Sequence, residues 1–301
     1  MDRRTVLGLA AAAGTGLVIG KQGAAAQPAR RLRENVEAGD GTRLFVRDWG
    51  SGTPVLFLAG WTLASDFWFY QMAALQAQGL RCLAFDRRGH GRSSDPGGGY
   101  DFDTLADDVA AIIEGLGLTG VTLVGHSMAS GEIARYASRH GTGRLARIVL
   151  VGPTTPFLMQ TADNPSGLPR EAMAAARAGL GRDFPGLIGA NIAPFFTAGT
   201  SPDMVAWVKA MMLGTSMQAV LDCLRALQET DFRAELPRIG VPTLIVHGDA
   251  DRSAPLPLTG RPTAALIPGA RLTIYEGAPH GIPLTHVDRL NGDLLAFVRG
   301  A

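Results

Sequence analysis

The sequence contains few cysteines and almost no net charge, and each shortage excludes a class of protein. Among its 301 residues, Cys82 and Cys223 are the only cysteines, too few for a disulfide-stabilised scaffold or a zinc site. The sequence is compatible with two free thiols and with one long-range disulfide. With 28 basic and 27 acidic residues, the net charge is +1. This balance argues against a nucleic-acid-binding protein, because such proteins need a concentrated basic surface.

Residues 1–26 have the pattern of an export signal. Arg3 and Arg4 precede a weakly apolar run, roughly residues 6–19, that is too short and too rich in Gly and Ala to span a bilayer comfortably. Ala24–Ala26 form a small-residue cleavage signature. A membrane anchor or an unstructured tail is the alternative. We predict a twin-arginine signal peptide, export to the periplasm or the medium, and no stable membrane insertion after its removal.

Residues 27–301 are predicted to form a single α/β domain. Short apolar runs alternate with helical patterns, which is typical of a mostly parallel sheet flanked by helices. The predicted strands are Leu44–Trp49, Pro54–Ala59, Arg81–Phe85, Val121–Val124, Arg147–Val151, Pro242–Val246 and Arg271–Tyr275. The predicted helices are Asp66–Gln78, Thr104–Leu116 with Asp103 as its N-cap, Met128–His140 and Thr285–Val298.

The alternation of strands and helices stops between about residues 153 and 230. This stretch is rich in Ala, Met, Gly and Pro and contains helical patterns such as Glu171–Leu180 and Pro202–Leu213. We expect a helical cap insertion over the carboxyl ends of the strands, the edge at which open α/β sheets bind ligands. An ordinary run of packing helices is the alternative.

The strongest local motif is Gly125-His126-Ser127-Met128-Ala129. It lies between a predicted buried strand and a predicted helix, which is the context of a nucleophile elbow. The turn of an elbow is crowded, so the residues two before and two after the serine must be small. A serine in a solvent-exposed turn is the alternative to a nucleophilic Ser127.

A serine nucleophile needs a base and an acid. His280 is the preferred base among six histidines, because it follows the last predicted strand and is flanked by Gly281. Asp249 and Asp251 both follow the preceding strand, and either could orient the histidine. Asp249 is at the start of the turn, where it could instead cap backbone N–H groups. Asp251 lies further along the loop and is our choice.

The developing oxyanion needs two backbone donors. The Met128 N–H follows the nucleophile directly, and the Trp61 N–H follows Gly60 in the loop after an early strand. A plain hydrophobic contact is the alternative role for Trp61. The expected pocket is apolar and lacks an obvious basic clamp; its candidate residues are Trp61, Phe67, Trp68, Met128, Phe157, Phe195, Phe196, Trp207 and Met211.

These motifs together resemble the α/β-hydrolase superfamily over about residues 33–299. Within it, the chain is similar to the bacterial non-haem haloperoxidase/perhydrolase and aryl esterase group. The stretches that carry the resemblance are Gly60–Trp68, Ala84–Ser93, Val121–Ser127, Thr230–Arg233, Val241–Asp249 and Ala278–Gly281. The order of serine, aspartate and histidine is also that of α/β-hydrolases. Three residues depart from the group pattern: Ala129 replaces a usual glycine, Ala59 a frequent histidine and Thr62 a frequent proline.

The resemblance implies catalytic roles for Ser127, Asp251 and His280, oxyanion donors at Trp61 and Met128, a cap, and no metal or organic cofactor. The expected activity is hydrolysis of a small or aromatic hydrophobic carboxylic ester or lactone through an acyl-enzyme, with perhydrolase or haloperoxidase side activity. A cofactor-free oxygenase or hydroxynitrile lyase is the alternative, and a binding protein with an inactive site is a third. The expected partner is a small molecule, and the group's members often form homo-oligomers.

Overall fold

A computed structural model describes residues 35–300, which form an eight-stranded sheet flanked by helices. The strands are β1 (Asn35–Glu37), β2 (Arg43–Trp49), β3 (Pro54–Leu58), β4 (Arg81–Phe85), β5 (Val121–His126), β6 (Leu145–Val151), β7 (Thr243–Gly248) and β8 (Arg271–Tyr275). The helices are α1 (Phe69–Gln76), α2 (Phe102–Gly115), α3 (Ala129–His140), α4 (Arg170–Asn191), α5 (Pro202–Leu213), α6 (Met217–Glu229), α7 (Gly260–Leu266), α8 (Ile282–Thr285) and α9 (Val287–Arg299). The predicted signal peptide, residues 1–26, lies outside the described residues.

The strand order in the sheet is β1-β2-β4-β3-β5-β6-β7-β8. β1 and β2 pair antiparallel with their neighbours, and the remaining pairs are parallel. All residues of β5 and β7 are buried, as expected for central strands covered on both faces. Because parallel strands point the same way, the loops after β3, β5, β7 and β8 lie at one edge of the sheet.

The two faces of the sheet carry two separate hydrophobic clusters. One includes residues of α2 and α3, and the other includes residues of α1 and α9. Cys223 belongs to the first cluster and Cys82 to the second, and both are free, buried thiols. Burial raises the pKa of each thiol to about 12, so neither is a nucleophile near neutral pH.

The predicted strands correspond to β2 through β8, with ends that differ by at most two residues. The additional strand, β1, has only three residues and pairs only with β2, so no periodic pattern reveals it. The N-cap prediction for α2 is wrong by two positions. Asp101, not Asp103, caps the helix, because its side chain accepts a 3.0 Å hydrogen bond from the Thr104 N–H.

The helical insertion consists of α4, α5 and α6, which lie between β6 and β7. α5 has its predicted bounds, whereas α4 continues beyond its predicted end and is broken at Asp183, where φ is −151° and ψ is 76°. Within residues 35–300, no single helix is long and apolar enough to cross a membrane. α5 and α6 together have that length and composition but are bent by 94° relative to each other.

Candidate active site

Ser127 occupies a strained turn between β5 and α3. Its φ is 56°, in the left-handed region that costs a non-glycine residue roughly 1–2 kcal/mol. A side chain on Gly125 would come within 2.6 Å of Ile133 Cδ1 and 3.2 Å of Ala129 Cβ. The extra methyl group of Ala129 is therefore accommodated because Gly125 has none. This geometry is that of a nucleophile elbow.

Ser127, His280 and Asp251 form a continuous chain of hydrogen bonds. His280 Nε2 is 2.9 Å from Ser127 Oγ, and His280 Nδ1 is 2.6 Å from Asp251 Oδ2. All three residues are buried. The residues reach each other from the ends of three parallel strands, β5, β7 and β8. A serine, a base and an acid in this arrangement can perform nucleophilic catalysis.

Asp251 is held as an anion by several donors. Its Oδ1 accepts hydrogen bonds from the Ser253 N–H at 2.9 Å and the Ala254 N–H at 2.8 Å. Burial raises the pKa of Asp251, but the charge of His280 and hydrogen bonds from His247, His280 and backbone outweigh it and keep the pKa below its ordinary range. An ionised carboxylate can fix the tautomer of His280 and stabilise its protonated form.

Asp249, the other candidate acid, has a different position. Its side chain is exposed and accepts a 2.6 Å hydrogen bond from the Gly277 N–H. It thereby connects the loop after β7 to the loop after β8, which carries His280. The structure brings Asp251 and not Asp249 to the histidine.

His126 contributes to the site in a way that the motif around Ser127 does not predict. Its Nε2–H donates a 3.0 Å hydrogen bond to the His280 carbonyl, and the two rings lie 4.6 Å apart. Burial, followed by the charge of His280, lowers the pKa of His126 well below its ordinary value, so it is neutral. His126 therefore holds the loop that carries His280. Its position next to the nucleophile is the only sequence signal for this role.

The loop after β3 forms a tight turn from Gly60 to Leu63. The Leu63 N–H donates to the Gly60 carbonyl at 3.1 Å. Thr62 has a φ of 62°, as the third residue of a type II turn requires, although a β-branched residue is rarely found there. A proline cannot adopt this φ, so a proline at position 62 would need another backbone conformation.

The predicted oxyanion donors are the Trp61 and Met128 N–H groups. Within residues 35–300, neither N–H has a protein acceptor. The indole of Trp61 has a separate role, since its Nε1–H donates to the Val220 carbonyl on α6 at 2.9 Å. Trp61 also lines the cavity, so the hydrophobic contact considered for it is present, and its role as an oxyanion donor stays a prediction.

A cavity of about 260 Å³ opens onto Ser127 and His280. Its remaining lining is mostly apolar and comes from Gly60, Trp61, Thr62, Leu63, His126, Thr154, Leu158, Ile188, Asn191, Ile192, Phe195, Met212, Leu224, Leu227 and Ser253. No Asp, Glu, Lys or Arg side chain of the described part of the chain is among these residues. The walls therefore suit an uncharged ligand.

Of the predicted pocket residues, only Trp61 and Phe195 line the cavity. The prediction is wrong for the other seven residues. Five of them are buried but do not line the cavity: Phe67, Trp68, Met128, Phe157 and Phe196. Trp207 stacks on Phe69, and Met211 packs on a hydrophobic cluster. Met212 lines the cavity in place of Met211, because successive helical residues point about 100° apart. The rotation of each insertion helix about its axis determines which of its side chains face the cavity.

Nothing in the described range 35–300 groups three or more His, Cys, Asp or Glu side chains in a way that could hold a metal ion. The predicted absence of a cofactor stays a prediction.

Comparison with known proteins gives a consistent family assignment. The family model for the alpha/beta hydrolase fold matches residues 53–287. The chain is 42% identical to the non-heme haloperoxidase of Rhodococcus erythropolis, covering 87% of this chain and 98% of that protein. It is 38% identical to the bifunctional esterase/perhydrolase DCH of Acinetobacter calcoaceticus, and the match covers 86% of this chain and 97% of that protein. An esterase structure from Exiguobacterium antarcticum is 31% identical to this chain and superposes with a TM-score of 0.85. The match covers 88% of this chain and 99% of that one.

Proposed function

The chain belongs to the alpha/beta hydrolase family, and on that premise we propose that it is a serine hydrolase of uncharged carboxylic esters or lactones. The observation that carries the proposal is the hydrogen-bond chain from Ser127 through His280 to Asp251 at an apolar cavity. Relatives with esterase in their names support the same class of reaction.

In the proposed reaction, Ser127 Oγ attacks the ester carbonyl while His280 Nε2 takes its proton. Asp251 stabilises the resulting imidazolium, and the Trp61 and Met128 N–H groups bind the oxyanion. The tetrahedral intermediate collapses, His280 gives the proton to the leaving alcohol, and an acyl-enzyme remains. Water then repeats the sequence, with His280 as base, and releases the carboxylic acid and free Ser127.

The cavity supports a substrate of small or aromatic hydrophobic character. A volume of about 260 Å³ lies below the range of roughly 300–1,000 Å³ that holds drug-sized ligands. An acyl group with a carboxylate would be desolvated here without a cationic partner. We expect kcat/KM for a neutral aryl acetate or butyrate to exceed that for the matching succinate half-ester by about 10-fold or more. Higher kcat/KM on the charged ester would contradict this substrate class.

Labelling with a fluorophosphonate tests the proposed reaction class. The expected result is one covalent adduct on the peptide that contains Ser127, and none in Ser127→Ala. A folded wild-type protein without an adduct would favour the alternative, a cofactor-free oxygenase or hydroxynitrile lyase that uses serine and histidine for proton transfer.

The names of two relatives favour a second reaction, perhydrolysis. Hydrogen peroxide in place of water would cleave the acyl-enzyme to a peracid and free Ser127. The peracid would then oxidise a halide ion, taking up a proton, to a hypohalous acid and would itself become the carboxylic acid. Halogenation should therefore require an acyl donor together with peroxide and should disappear in Ser127→Ala. Halogenation without any acyl donor would refute this route.

Residues 1–26 are proposed to direct export by the twin-arginine route to the periplasm or the medium. The support is the Arg3-Arg4 pair, the weakly apolar run and the small-residue cleavage signature. Replacement of both arginines by lysine should leave the precursor in the cytoplasm, whereas unchanged export would show that another route operates.

A further inference from the structure

Arg87, in the loop after β4, connects the loop after β3 to helix α3. Its Nη2–H donates to the Ala59 carbonyl at 2.6 Å and its Nη1–H to the Gly60 carbonyl at 3.3 Å. Its Nε–H donates to Glu132 Oε1 at 2.8 Å, and Nη2 contacts the same oxygen. Arg87 is 3% exposed and Glu132, in the first turn of α3, is 1% exposed. One guanidinium therefore holds two loop carbonyls and one helix.

Burying an ion pair is a poor way to stabilise a fold. Removing both charges from water is costly, and a well-packed apolar pair of similar size is often as stable. Burial raises the pKa of the Glu132 carboxyl, against the opposing charge of Arg87, which reflects this cost. A rigid fork of five donors offers something that an apolar pair cannot, namely fixed directions for several acceptors.

The directions matter because of peptide geometry. In a trans peptide the C=O and the following N–H point in opposite directions. The Arg87 guanidinium and the Leu63 N–H both bind the Gly60 carbonyl, so the Trp61 N–H points in the opposite direction, away from the guanidinium. Gly60 and Trp61 both line the cavity. The same turn contains Thr62 in a strained conformation, which persists only where surrounding contacts determine it.

Glu132 connects Arg87 to helix α3, which follows Met128. Helix α3 begins at Ala129, immediately after Met128, whose N–H is the other proposed oxyanion donor. Because Arg87 binds both the Gly60 peptide and Glu132, it links the two donors through one rigid group. We propose that Arg87 and Glu132 are positioning residues that hold the Trp61 and Met128 N–H groups in register around the oxyanion; this rests on the proposed acyl-enzyme function.

The chain supplies a matched control in the next residue. Arg88 is 2% exposed and forms a buried pair with Asp108 on α2, at 2.6 and 2.7 Å, and a third bond to Asp40 at 2.8 Å. None of these hydrogen bonds reaches the loop after β3. Arg88→Lys therefore removes a comparable buried network while leaving the proposed oxyanion donors alone.

The test compares Arg87→Lys, Glu132→Gln and Arg88→Lys on a neutral aryl ester. For the first two, kcat should fall by about 10–100-fold with KM nearly unchanged, because a misdirected donor weakens mainly transition-state binding. Phenylboronic acid, which forms an anionic tetrahedral adduct with a catalytic serine, should lose affinity by a similar factor. Arg88→Lys should keep its kcat and its boronate affinity, whatever its thermal midpoint.

Three results would overturn the inference. In the first, Arg87→Lys and Glu132→Gln keep the wild-type kcat and boronate affinity. In the second, Arg88→Lys loses as much kcat as they do. In the third, both variants are unfolded while Arg88→Lys folds, which would make the Arg87–Glu132 pair purely structural. Fluorophosphonate labelling of the wild type is run in parallel. An unlabelled wild type refutes the acyl-enzyme itself, whereas a labelled wild type with active variants refutes only the positioning role.

Discussion

The strand ends and the helical insertion contribute to one cavity in different ways. Ser127, His280 and Asp251 follow parallel strands and are fixed by hydrogen bonds to one another and to backbone N–H groups. The insertion contributes mainly apolar side chains, such as Met212 and Leu224. On the proposed function, chemistry depends on the strand ends, and the choice of substrate depends on the insertion. Changes in the first region should lower turnover, and changes in the second should alter which ester is preferred.

The largest effect is expected for Ser127→Ala. Turnover of a neutral ester should fall by about 10⁴–10⁶-fold, because the nucleophile is lost while the remaining groups still bind the substrate. The thermal midpoint should stay close to that of the wild type. Steady-state kinetics and thermal unfolding on the same preparation check both parts. Near-normal turnover in this variant would break the assignment of chemistry to the strand ends.

The second prediction distinguishes the role of Asp251 from that of Asp249. Asp251→Asn should lower turnover by as much as about 10⁴-fold through the wrong tautomer of His280, with little loss of fold. Asp249→Asn removes the acceptor for the Gly277 N–H, so it should mainly cost stability, on the order of 1–3 kcal/mol. Turnover and unfolding midpoint are measured for both variants. An inactive, stable Asp249→Asn beside an active Asp251→Asn would reverse the two roles.

The proposed catalytic residues could be predicted from sequence because each follows a local pattern. Short apolar runs mark the strands, and the residues after them share one edge, so Ser127, Asp251 and His280 could be named without coordinates. The cavity walls were not accessible in this way. They depend on the break of α4 at Asp183 and on helix rotation, which places Met212 rather than Met211 in the cavity wall. The links made by Arg87 and His126 depend on tertiary contacts that no spacing in the sequence reveals.

The third prediction concerns Gly60, in the loop after β3. A Cβ at this position would lie 2.8 Å from His126 Nδ1 and 3.0 Å from Ser127 Cβ. Gly60→Ala must therefore displace either the loop that carries the Trp61 N–H or the side chains of His126 and Ser127, and turnover should fall by about 10²–10³-fold, as for loss of one oxyanion donor. Gly39→Ala is the control, since a Cβ there meets nothing within 4 Å. Unchanged kcat in Gly60→Ala would show that the loop can move without affecting the reaction.

The smallest effect is expected in the insertion. Leu224→Ala enlarges the cavity, so kcat/KM for longer acyl chains should rise relative to acetate, by about 10-fold, while kcat on acetate changes little. Leu221→Ala is the matched control on the same helix, because Leu221 packs on the hydrophobic cluster and is not a lining residue. The two variants are compared on esters of increasing acyl length. An equal shift of acyl-chain preference in both variants would mean that the insertion affects specificity through its packing and not through the side chains that line the cavity.

The most direct test of the account is to trap the acyl-enzyme. Wild-type protein is mixed with a chromogenic acetate ester, quenched in acid during turnover and digested, and its peptides are analysed by mass spectrometry. We expect the mass of one acetyl group on the peptide that contains Ser127, in greater amount in Asp251→Asn if deacylation is the slower step there. Ester turnover with acetyl on another residue and none on Ser127 would contradict the proposed acyl-enzyme.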